Sequence, residues 1–172
     1  QKDRVNLNKI EQTINKHDLI ENSEVFLSVD GKLKTVIKQK TPIARVFNGN
    51  TSFYIDYKGD RMPLSSNCSA RVPLVYGDFN NRYSTNSVEL LRAIYNDDFL
   101  KKNIIGMEIL PDGSVVMKNR DYDYDIIFGR TIHMERKINN YKAFFQKAVQ
   151  DTLIKSYKKI NLKFTRQVVC TK

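Results

Sequence analysis

The stretch Ile104-Ile105-Gly106-Met107-Glu108-Ile109-Leu110-Pro111-Asp112-Gly113-Ser114-Val115-Val116-Met117-Lys118-Asn119 decides the fold. Two apolar arms, residues 104–110 and 114–119, flank a Pro-Asp-Gly turn. That combination is a hairpin signal. Downstream, residues 124–128 read as a third strand closed by Gly129, and a long helix is expected over 132–156. Ile138, Tyr141, Phe145, Ala148, Val149 and Thr152 give that helix a continuous apolar stripe, with its lysines facing out. The chain then reaches Lys159-Ile160-Asn161-Leu162-Lys163-Phe164-Thr165, which alternates polar and apolar residues at the period of a half-buried strand. It is expected to be the last strand, with nothing downstream covering its edge.

Upstream, a helix is expected over 87–101, with Val88, Leu91, Ile94, Tyr95 and Phe99 on one face. Residues 70–76 read as a covered strand ended by Gly77, and 78–86 as a loop. Residues 52–57 and 62–64 form a strand and a short return around Lys58-Gly59-Asp60. The N-terminal part is a helix over 7–16, capped by Asn6, and a hairpin of 24–30 with 32–40 around Asp30-Gly31. Thr41-Pro42 breaks the second arm. A helix plus a hairpin in about 45 residues is thin for a free-standing core. The fold class is α+β, with a mostly antiparallel sheet and helices in separate runs.

The 172 residues, 41% hydrophobic and 10% aromatic, are those of a folded protein. Residues 130–172 hold 11 Lys+Arg against 2 Asp+Glu, a balance of +9 out of a chain total of +10. The C-terminal region therefore attracts something anionic: nucleic acid, an acidic membrane surface or an acidic protein. No apolar run is long enough to span a bilayer. The chain starts at Gln1 without an initiator Met or a signal-peptide pattern, so it is expected to be a piece of a longer protein whose anchor lies upstream.

Catalysis has little support. His17 and His133, the only histidines, fall on separate helices without Cys, Asp or Glu at ligand spacing, and read as surface or helix-end residues. Asp121-Tyr122-Asp123-Tyr124-Asp125 lacks the glycine and distal glutamate of a calcium loop and reads as a solvated hairpin edge. No phosphate-cradling glycine loop, nucleophile elbow or H-E-x-x-H occurs. No enzyme activity, cofactor or metal is expected. Cys68 and Cys170 lie outside any C-x-x-C spacing, and spacing alone does not decide whether they pair. Nucleic acid would need aromatics exposed on adjacent strands, and only Phe164 is placed for that. The two sequons, at Asn50 and Asn67, are too common a tripeptide to carry weight.

A family resemblance enters at Thr41-Pro42-Ile43-Ala44-Arg45-Val46. It continues through Tyr54-Ile55-Asp56-Tyr57-Lys58-Gly59-Asp60, Met62-Pro63-Leu64 and Ala70-Arg71-Val72-Pro73-Leu74-Val75-Tyr76-Gly77. Ile126-Ile127-Phe128-Gly129-Arg130, the long helix and Ile160-Asn161-Leu162-Lys163-Phe164 complete the order. This set resembles the extracytoplasmic part of FtsQ/DivIB, a bitopic bacterial cell-division protein, and Val168-Val169-Cys170-Thr171-Lys172 is similar to the ends of Bacteroidetes-type members. The resemblance implies a POTRA (polypeptide-transport-associated) domain over 1–45 and a β domain over 46–172. A POTRA domain usually opens with a strand and helix before the helix seen here, so the N-terminal unit is expected to be incomplete.

The implied function is a non-enzymatic divisome scaffold in the bacterial cytoplasmic (inner) membrane. It would cross once, with this region in the periplasm at the division septum. Its implied partners are FtsB and FtsL, with other divisome proteins contacting the POTRA domain and no nucleic acid. The family's Leu-Arg-Tyr segment matches Leu162-Lys163-Phe164 here, so the partner-binding residues are expected to be Leu162, Lys163, Phe164, Thr165, Arg166, Gln167 and Val168. Phe164 keeps the aromatic plane without the hydroxyl, and Lys163 keeps the charge without the bidentate fork. An edge strand offers main-chain hydrogen bonds to an incoming strand, and Lys163 and Arg166 would select acidic residues on it. Ile160 and Leu162 also read as core residues, and Phe164 as either core or anchor. Two other readings share these features: a POTRA-containing chaperone or assembly module, and nucleic-acid binding by the basic C-terminal region.

Overall fold

The computed structural model describes residues 6–65, 69–77, 79 and 84–172. Helix α1 (Leu7–Asn15) is capped by the Asn6 side chain, which accepts from the Lys9 N–H at 3.0 Å. It lies on the hairpin of β1 (Ile20–Leu27) and β2 (Leu33–Gln39). Only Ser23 and Val25 of this unit are buried, and all of β2 is exposed, so its core is as thin as the sequence implied. Glu21 pairs at 3.2 Å with both Lys38 of β2 and Lys58 of the next unit.

The rest of the chain builds one nine-stranded sheet. Its strands are β3 (Pro42–Asn48), β4 (Thr51–Asp56), β5 (Arg61–Met62), β6 (Leu74–Gly77), β7 (Ile104–Ile109), β8 (Val115–Asn119), β9 (Asp125–Gly129), β10 (Lys159–Asn161) and β11 (Val169–Thr171). In space they run β11-β10-β9-β8-β7-β6-β3-β4-β5. Pro42 thus opens the first strand of the large sheet, and the two sheets divide at Lys40-Thr41 rather than at 45/46. The β7–β8 hairpin forms as its sequence dictates. Asp112 accepts from the Ser114 N–H at 3.0 Å and from its hydroxyl at 2.6 Å, and Gly113 takes φ +77°.

The sheet is mostly antiparallel, but β3–β6, β6–β7 and β9–β10 pair in parallel. Two of these joins cross over through helices. The expected helix over 87–101 is two helices, α2 (Ser84–Asn96) and α3 (Asp98–Asn103), broken where Asp97 caps the second by accepting from the Leu100 N–H at 3.0 Å. Helix α4 (Met134–Gln150) carries β9 over to β10 and stops short of the expected 156. Thr152, at φ +57°, turns the chain into a short 3₁₀ turn, Leu153–Ser156. Val149, expected on the apolar stripe, is exposed instead. Both crossovers step the same way along the sheet, so right-handed connection puts both helical layers on one face. There Phe99 packs on Phe145 with ring centroids 5.0 Å apart, and Asp97 pairs with Lys142. The core lies between this layer and Ile43, Val46, Val75, Met107, Met117, Ile126, Phe128 and Ile160 of the sheet.

A polar network locks α4 to the sheet. The Tyr141 hydroxyl receives a hydrogen bond from Asn119 Nδ2 at 3.0 Å and shares one with the Tyr124 hydroxyl at 3.0 Å. Burial raises the pKa of both phenols. Tyr141→Phe strands the Asn119 amide and the Tyr124 hydroxyl, and is expected to cost about 1–3 kcal/mol. Urea unfolding monitored by circular dichroism measures this, and an unchanged midpoint rules the network out.

Candidate partner-binding edge

The terminal strand differs from its sequence expectation. Ladder pairing stops at Asn161, although the Leu162 N–H still donates to Ile127 O at 2.9 Å. The reason lies in β9, which runs beside it. Gly129 takes φ +71° and bends β9 away, so residue 163 has no parallel partner. The chain crosses 162–168 and returns as β11, which pairs antiparallel with β10. The expected uncovered edge at 159–165 is therefore covered on both sides, and the sheet ends in β11.

The expected site residues separate accordingly. Leu162 is buried, with 1% of its surface exposed, and its side chain packs in the core. Lys163 is exposed, its N–H held by Asn161 Oδ1 at 3.0 Å. Phe164 has half of its surface in solvent, at 50%. Thr165 is half-buried, and its carbonyl accepts from Asn140 Nδ2 of α4 at 3.1 Å. Arg166 and Gln167 are exposed, whereas Val168 packs against the core together with Cys170. Burial raises the Cys170 thiol pKa. Cys68 and most of the second sequon lie outside the described residues.

Beside this connection is a cavity of about 260 Å³ lined by Arg130, Lys137 and Lys163, with Asp112, Ser114, Gly129 and Ile132. Lys137 corrects the expectation that the α4 lysines all face out: only 2% of it is exposed. One turn before Tyr141, it lies on the inward stripe. Its ammonium donates to Phe128 O at 3.0 Å and Arg130 O at 2.6 Å and lies 4.9 Å from the centre of the Phe128 ring. Burial holds its pKa below the ordinary lysine range, and the Lys163 charge adds to that. The cavity's one carboxylate, Asp112, is engaged by Ser114, whose hydrogen bonds hold its pKa low. The cavity wall thus carries three cations and one occupied anion.

Arg130 and Lys137 were missing from the sequence expectation. A signal existed: Arg130 follows the glycine closing β9, and Lys137 is spaced i, i+4 from Tyr141. Gly129 fits closely here, since a Cβ on it would lie 2.8 Å from Lys163 Cγ.

Among the described residues, no cluster of His, Cys, Asp and Glu could hold a metal ion, and no helix is long and apolar enough to cross a membrane. What the region offers is an open strand edge, an exposed aromatic and a cationic cavity within one stretch of chain. In comparison with known proteins, the sequence model described as FtsQ/DivIB, C-terminal related, matches residues 41–171. No curated protein matches the chain.

Proposed function

Because the chain belongs to the FtsQ/DivIB, C-terminal related family, we propose that it is a divisome scaffold receiving a strand of a bitopic partner at the β11 edge. The family is one of non-catalytic cell-division scaffolds associated with the membrane at the division site. In this reading the partners are FtsB and FtsL, this region lies in the periplasm, and residues 1–45 act as a POTRA-type unit toward other divisome proteins. The scaffold thereby links early division proteins to septal peptidoglycan synthesis.

The carrying observation is the juxtaposition of β11, Phe164 and the Arg130–Lys137–Lys163 cavity. A strand laid along β11 gains main-chain hydrogen bonds that are indifferent to sequence, so selectivity falls to neighbouring side chains. Arg130 and Lys163, joined by exposed Arg166, favour acidic residues on that strand. Solvent-exposed ion pairs contribute roughly 0.2–1 kcal/mol each, so they set partner choice and encounter rate more than affinity.

The test is calorimetric titration of the chain with the extracytoplasmic part of FtsB. Arg130→Glu combined with Lys163→Glu is expected to weaken binding about tenfold and to flatten its salt dependence. Binding that keeps both its strength and its salt slope in this double variant removes the assignment.

A further inference from the structure

At the end of the sheet where β6 and β7 begin, these two parallel strands are not joined. Their pairing starts at Leu74 opposite Gly106. Below that level, residues 71–73 and 104–105 are the two sides of a fork around a cavity of about 460 Å³. The floor is apolar: Ile43, Ile94 and Ile104 line it, each 1% exposed overall. The rim is cationic, formed by Arg71, Lys101 and Arg120, and no carboxylate is on the lining.

The three cations lack counter-charges. Arg120 Nε donates to the Lys102 carbonyl at 2.7 Å, and the Lys101 ammonium stands 4.0 Å over the Tyr95 ring. Among the described residues the Arg71 guanidinium has neither a hydrogen-bond nor an ion-pair partner. Three positive groups around an apolar floor call for an anion that brings an apolar group with it.

We infer that this fork binds a carboxylate carried next to an apolar side chain, as on an acidic and apolar segment of a partner protein. The apolar group fills the floor, and the carboxylate meets Arg71, Lys101 and Arg120. A phospholipid headgroup satisfies the cations but leaves the apolar floor empty. A nucleic-acid base would need an open aromatic face, and the Tyr95 ring is already faced by Lys101. The fork lies at the opening end of the parallel strands, whereas the Arg130 cavity lies at the closing end of β9. It is therefore a second contact surface, independent of the β11 edge.

The test uses N-acetylphenylalanine, which joins one carboxylate to one apolar ring, and its amide, N-acetylphenylalaninamide, in NMR titrations of the ¹⁵N-labelled chain. A ligand of this size is expected to bind at about 1 mM, shifting the amides of Val72, Leu74 and Ile105. Removing the carboxylate, or reversing charge with Arg71→Glu and Lys101→Glu, is expected to weaken binding about tenfold. Both substitutions are at exposed side chains, so the thermal midpoint of the double variant is expected to match the parent's and to separate loss of binding from loss of fold. The inference is overturned if acid and amide bind alike, or if neither shifts these residues. A response of the fork only to phosphatidylglycerol vesicles overturns it too, and makes the ligand a lipid.

Discussion

Gly77→Ala is expected to destabilise the chain by about 3 kcal/mol, summing left-handed backbone strain of 1–2 kcal/mol and a lost ladder hydrogen bond of about 1 kcal/mol. Gly77 closes β6 at φ +99°, where an L side chain is strained whatever space surrounds it. Space is absent as well. A Cβ there would lie 2.2 Å from the Ile109 carbonyl oxygen, which belongs to the backbone of β7 and cannot rotate aside. Relief requires the two strands to part where Gly77 pairs with Ile109. For a chain of this size the loss amounts to a fall in melting temperature of about 6–12 °C. Gly49→Ala is the control, because Gly49 has φ +57° but nothing within 4 Å of a Cβ. It should show the backbone strain alone, about 1–2 kcal/mol. Equal melting temperatures for the two variants would contradict the close approach of β6 to β7.

Phe164→Ala is expected to weaken binding of the FtsB extracytoplasmic segment about 30-fold, the equivalent of 2 kcal/mol. Phe164 stands between two inward residues, Leu162 and Val168, in a connection tied to α4 through the Thr165 carbonyl. The backbone is thereby held while the ring stays half in solvent. A ring presented in this way buries its remaining surface on contact and loses little conformational freedom in doing so. The same exposure means that truncation removes few internal contacts, so the melting temperature is expected to stay close to the parent's. Titration calorimetry with both proteins folded separates the two quantities. A dissociation constant unchanged by Phe164→Ala would move the anchor elsewhere.

The sequence was most legible where local pattern and tertiary role agree. Residues 104–119 alternate and turn as a hairpin, and they form one. Asn6 announces α1 and caps it. The parallel joins were invisible, because β3–β6, β6–β7 and β9–β10 are set by how crossovers pack, and no local periodicity records that. The terminal strand was read too long for a related reason. Alternation continues through Thr165, but a strand needs a neighbour, and Gly129 withdraws it. In the candidate site, Lys163, Phe164 and Arg166 were readable as exposed basic and aromatic residues. Lys137 was not, since charge suggested solvent while its spacing from Tyr141 required the interior. The orphan carbonyls of Phe128 and Arg130 decided between them.

β11 is only three residues long and is joined to β10 by residues 162–168. A strand so short undocks and redocks at little cost, so local opening there is the lowest-energy fluctuation to expect along that side of the sheet. A guest strand hydrogen-bonded to β11 would hold it in place, and capture of the guest and closure of the host would form one linked equilibrium. Apparent affinity then scales with the fraction of time β11 is docked. Val168 and Cys170, which face the interior and never meet the guest, become the adjusting screws of that equilibrium.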